Sequence, residues 1–255
     1  MITDLTITDL TNMHANRICV AAVNAQMQSI RPLFRNRNIF REWCFQGEQI
    51  IQPFSRVQLD LIEHIPRPPH SEDWIVDDDY LRVLGILENR EKRNFIETTL
   101  SPQVPSIFGA PIQCVEGEGT FVSTGQGIRS LGTIKTLSIS NFSHVCYDGN
   151  WDYRINFVDQ VGNNYRLKIV DLTFQAYVDH HRNNHNANGD LEERINQKFA
   201  HRDTFLRIGL ARNWGRFPNR CYLQITGVYT FPDYLVGRCF ADFNDHQDQE
   251  DDIPF

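Results

Sequence analysis

Residues 151–170 read WDYRINFVDQVGNNYRLKIV, and this stretch decides the fold class. Trp151, Tyr153, Ile155 and Phe157 alternate with their neighbours, and so do Tyr165, Leu167 and Ile169. A period of two puts each set on one face of a β-strand. Between the two sets lie Gln160-Val161-Gly162-Asn163, where Gly and Asn tolerate positive φ. The expectation is a β-hairpin.

The same period recurs outward in both directions. Val57, Leu59 and Leu61 alternate within 57–65, VQLDLIEHI, and 16–24, NRICVAAVN, reads as a short buried strand. Residues 204–212, TFLRIGLAR, and 220–231, RCYLQITGVYTF, read as two more strands, joined by a linker with Gly215, Pro218 and Asn219. Two stretches have helical character. One is 88–100, ENREKRNFIETTL, with Phe95 and Ile96 as sparse apolar contacts. The other is 190–200, where Asp190 is placed as an N-cap and Leu191, Ile195 and Phe199 form one stripe.

Between 101 and 130 the chain holds three prolines and five glycines, which marks a boundary between two β-rich halves. Each half offers about four to six short strands, which suits two small barrels of the OB type better than one large sandwich. The expected fold is mainly β: two OB-like five-stranded barrels with short helices and a disordered acidic C-terminal tail. The first domain spans 1–100 with a trailing helix, and 101–130 is a linker. The second spans 131–240 with a helical insertion near 190–200, and 241–255 is the tail.

A chain of 255 residues, 41% hydrophobic, can bury a core without staples. No run of about 18 apolar residues is present, so no membrane span is expected. The first 17 residues are acidic and Thr-rich and do not read as a secretory signal. Cys19, Cys44, Cys114, Cys146, Cys221 and Cys239 form no C-x-x-C pair, and scattered thiols fit a reducing, cytoplasmic setting. Of the net charge of −7, the segment 241–255 carries −6, leaving −1 on residues 1–240. A near-neutral body can still carry a local basic groove.

The tail ends Glu250-Asp251-Asp252-Ile253-Pro254-Phe255. Proline lowers the entropy lost on docking, and a terminal Phe with its carboxylate is a compact anchor for an apolar pocket beside an Arg or Lys. The bland alternative is a solubilising acidic tail, which does not require an apolar tripeptide at its end. This end resembles the acidic tip of bacterial single-stranded DNA-binding proteins, Asp-Asp-Asp-Ile-Pro-Phe, with only Glu250 departing. The resemblance implies that Ile253, Pro254 and Phe255 anchor replication, recombination or repair proteins, with Asp251 and Asp252 steering by charge.

The body, over about 14–240, resembles the dual OB-domain family. The residues that carry the likeness are Arg17-Ile18-Cys19-Val20-Ala21, Ile30-Arg31-Pro32 and Pro68-Pro69-His70-Ser71-Glu72-Asp73-Trp74, with the strands at 151–170 and 204–229. The likeness implies two OB folds and no particular activity.

OB folds hold single strands by stacking bases on aromatics and tracking phosphates with Arg or Lys. Two clusters qualify. Arg31, Arg35, Arg37 and Arg41 precede Trp43, and Arg212, Trp214, Arg216, Phe217 and Arg220 form an interleaved set. The competing reading puts these arginines on solvated strand faces and the aromatics in barrel cores. The loop 68–74 reads as a rigid turn with Trp74 in the barrel wall. His180-His181-Arg182-Asn183-Asn184-His185-Asn186 reads as a polar loop, because Asn is a poor transition-metal ligand. Gly117, Gly119, Gly125 and Gly127 lack the spacing of a phosphate loop. No catalytic constellation, cofactor or metal is expected. The leading expectation is a non-enzymatic single-stranded DNA-binding protein that recruits partners through its tip; a homo-oligomer is compatible with this. The alternative is an interaction protein of a phage, mobile element or defence system that uses the tip without binding DNA.

Overall fold

The computed structural model describes residues 1–184, 191–213 and 215–243, the side chain of Asn184 excepted. The first half runs through β1 (Ile2–Asn12), β2 (Ile18–Asn24) and β3 (Ser29–Leu33). A small hairpin of β4 (Phe45–Gln46) and β5 (Gln49–Ile50) follows, then β6 (Ser55–His64) and β7 (Asp73–Ile86). They close into a barrel in the order β1-β2-β3-β7-β6, with β3 and β7 parallel.

Two helices, α1 (Asn89–Thr98) and α2 (Val104–Phe108), and a hairpin of β8 (Gln113–Val115) and β9 (Gly119–Ser123) lead into the second half. It contains β10 (Leu131–Tyr147), β11 (Asn150–Asp159), β12 (Asn164–Ile169), α3 (Leu172–Asn184), α4 (Leu191–Phe199), β13 (Asp203–Leu210) and β14 (Arg220–Phe231). The sheet order is β12-β11-β10-β13-β14-β9-β8, and a parallel β12–β14 pairing closes the first five strands into a second barrel. The expected two five-stranded barrels with short helices are therefore present. The tail from 244 onward lies outside the described residues.

The hairpin at 151–170 forms as its alternation requires. Phe157 faces Tyr165 and Ile155 faces Leu167 across β11 and β12, all on the core side. Asp159 organises the turn, its carboxylate accepting the N–H groups of Val161 and Asn163, and Gly162 takes φ +92°.

Two segments differ from expectation. The stretch 101–130 holds α2, whose Val104, Ile107 and Phe108 are fully buried, and a hairpin that extends the second sheet. Residues 180–184 are not loop but the last turns of α3. That helix starts where Asp171 accepts the N–H groups of Thr173 and Phe174, a capping arrangement that outweighs the weak helix preference of His and Asn. His185, Asn186 and the proposed cap Asp190 lie outside the described residues.

The barrels pack through a buried polar interface. On β2, Ile18, Val20 and Ala22 belong to the first core, so Cys19, Ala21 and Val23 face outward. Yet Ala21 and Val23 are only 2% exposed, and the adjacent Thr8, Asp9 and Arg31 are buried as well. Barrel two closes over this face. Arg207 of β13 pairs with Asp9 at 2.9 Å, and Thr226 of β14 donates to Asp9 at 2.7 Å. The Tyr229 hydroxyl donates to the Thr8 carbonyl. Glu72 accepts hydrogen bonds from the Ser130 N–H and hydroxyl and from the Leu131 N–H, pinning the start of β10.

Candidate nucleic-acid interface

OB folds use the face of their second and third strands, with the 1–2 and 4–5 loops, to hold oligonucleotides and oligosaccharides. In barrel one that face is the interface with barrel two. In barrel two the corresponding face is the outer side of β11 and β12, and it is open. Cross-strand pairs on it are Arg154 with Lys168 and Asn156 with Arg166. Asp152 binds both Arg154 at 2.6 Å and Lys168 at 3.1 Å. Burial opposes its ionisation, but these hydrogen bonds hold the carboxyl below its usual range. Arg166 is exposed and has no carboxylate partner among the described residues. Tyr147 is 64% exposed beside this face.

The face forms one wall of a groove of about 710 Å³. The β8–β9 hairpin, from Cys114 to Thr120, also lines it. At the end of this sheet lies the loop between β13 and β14, the 4–5 loop of barrel two. Here Phe217 and Tyr222 meet edge to face at 5.8 Å, and Tyr222 meets Phe121 of β9 at 5.7 Å. The Arg220 guanidinium lies over Phe121 at 4.7 Å and over Phe217 at 5.4 Å, and that of Arg216 lies 5.4 Å from the Phe217 ring. A guanidinium on an aromatic face keeps its in-plane N–H donors free for anions. Arg216 is exposed, and Arg220 is bound by Glu118 at 2.6 Å.

The structure thus brings Arg216, Phe217 and Arg220 together. Arg212 turns the other way and binds Asp73 of barrel one at 2.6 Å, its side chain 46% exposed. Trp214 lies outside the described residues.

The first cluster is dispersed. Arg31 is 4% exposed and binds the other oxygen of Asp73 at 2.6 Å. Arg35 pairs with Glu63 at 2.7 Å and Arg37 with Asp78 at 2.9 Å, so both are neutralised. Arg41 stacks over Phe240 at 5.1 Å, and burial lowers its pKa. Trp43 packs against the first core. The loop 68–74 is a connector, with Trp74 stacked on His64 at 4.6 Å and Glu72 fastening barrel two.

Sequence reasoning missed Arg154, Arg166 and Lys168. They occupy the positions between the apolar residues of the 151–170 hairpin, so the same alternation contains them.

Among the described residues no group of three or more His, Cys, Asp and Glu side chains is placed to hold a metal ion. No helix among them is long and apolar enough to cross a membrane.

Two closed Greek-key barrels, one face buried and one open, define a dual OB protein. The family model for the dual OB-containing domain matches residues 6–228, and the chain belongs to that family. No curated protein matches the chain. Among solved structures it is similar to a murine DNA binding protein bound with ds DNA, at 10% identity and a TM-score of 0.32. The likeness covers 90% of this chain and 97% of that one.

Proposed function

We propose that the protein binds single-stranded DNA on the open face of barrel two and recruits replication, recombination or repair proteins through its C-terminal tip. In this reading it acts by binding and not by catalysis. The observation that carries it is the gathering of Arg216, Phe217, Arg220, Tyr222 and Phe121 at the end of a sheet that also presents Arg154, Arg166 and Lys168. Stacked arginine–aromatic pairs beside a basic strand face supply phosphate contacts and base platforms together. The recruiting role rests on Ile253-Pro254-Phe255 and the acids before them.

The test is fluorescence anisotropy of labelled oligo-dT at two salt concentrations, with a duplex control, for the full chain and a chain ending at Asp242. Tight, salt-sensitive, single-strand-selective binding by both supports the reading. Absence of binding by both refutes it and moves the weight to a protein partner.

A further inference from the structure

The groove on barrel two already holds an anion of the protein's own. Glu118 sits on the β8–β9 hairpin, which lines the same groove as Arg154 and Arg166. Its carboxylate is 2.6 Å from Arg220, the guanidinium stacked between Phe121 and Phe217. Glu116 lines the same groove. Among the described residues β8 pairs with β9 alone, while β9 joins the barrel through Phe121, Val122 and Ser123 opposite Tyr222, Cys221 and Arg220, with Phe121 and Val122 buried. All three residues of β8 are exposed, and the turn is set by Gly117 and Gly119 at positive φ.

We propose that Glu118 is the specificity-determining residue of this groove, an intramolecular stand-in for phosphate that a nucleic-acid strand displaces from Arg220. The inference rests on the reading of the groove given above. A ligand that offers one isolated phosphate gains little by replacing one anion with another. A strand that also stacks a base on Phe217 or Tyr222 and reaches Arg166 gains the surplus. The Glu118–Arg220 pair therefore raises the threshold for weak polyanions and favours flexible single strands.

The test is a double-mutant cycle of Glu118→Gln and Arg220→Ala, read by oligo-dT anisotropy at low and high salt, with thermal melts to confirm folding. Glu118 is 47% exposed at its side chain, so its replacement leaves the barrel intact. Glu118→Gln is expected to tighten binding about two- to fivefold at low salt, the range of a partly exposed ion pair, and less at high salt. In the Arg220→Ala background it is expected to do nothing. Wild-type binding with an unchanged or weaker Glu118→Gln variant overturns the proposal and leaves the reading of the groove standing. No binding of oligo-dT by either protein overturns that reading and this proposal with it.

Discussion

Arg207 and Asp9 are 198 residues apart in the chain and meet as an ion pair in which each side chain is 1% exposed. The guanidinium also donates to Thr8 and Thr133 at 3.3 and 3.1 Å, so the charge is buried but fully engaged. This pair fastens barrel two onto the face that barrel one would otherwise offer to a ligand.

Removing one member of a buried pair leaves an uncompensated charge. Arg207→Ala is expected to destabilise the protein by about 3–5 kcal/mol. Urea denaturation checks this; a loss below about 1 kcal/mol would mean that Asp9 finds other partners.

The two barrels should respond differently to charge removal. Arg166→Ala and Arg216→Ala are each expected to lower affinity for oligo-dT and to reduce the salt slope by about 0.7. Arg35→Ala and Arg37→Ala, which break exposed pairs with Glu63 and Asp78, should leave affinity unchanged. Titrations in a salt series distinguish the outcomes, and equal losses in both barrels would place the strand elsewhere.

Tyr222→Ala removes a ring between Phe121 and Phe217. If bases stack there, the expected cost is about 1–3 kcal/mol of binding. Quenching of a fluorescent base analogue, present in the wild type and lost in the variant, is the direct check. Quenching retained in full by the variant would exclude this ring.

Two buried groups give opposite dependences on pH. His70 is 5% exposed, and burial, then Arg31 and Arg212, push its pKa down to about 3. Between about 6.5 and 3 the unfolded chain binds a proton that the native state refuses, so stability falls as pH drops. Burial raises Asp171 to about 7, against the pull of three backbone N–H groups. Between 3.8 and 7 the native state holds the proton, so this contribution rises as pH drops. Each slope is limited to about 1.4 kcal/mol per pH unit. From pH 7 to 5, a His70→Asn variant should gain melting temperature relative to wild type, and Asp171→Asn should lose it. Parallel curves for all three proteins would refute both assignments.

Deletion of Ile253-Pro254-Phe255 should abolish co-purification of partners while leaving oligo-dT binding in place. Partners that persist after the deletion would end the recruiting role of the tip.

Much of this molecule is written locally. Period-two alternation at 151–170, and again at 57–65, is a property of neighbouring residues, and it marked strands and a hairpin, while the number of short strands in each half pointed to two barrels. The acidic tail and the arginine–aromatic spacing at 212–220 are equally local. What alternation cannot express is which outer face meets water. The first arginine cluster and the loop cluster look alike as text, yet Arg31 is buried against Asp73 while Arg216 is exposed. That difference arises because Asp9, Glu72 and Asp73 find Arg207, Ser130 and Arg212 across the barrel interface. Helix α3 was hidden for a related reason, since its start depends on Asp171 being held beside Val228 of β14. The sequence alone determined the barrels and their charge. Only tertiary packing decided which barrel keeps an open face, because burial and long-range ion pairing assign each arginine its partner.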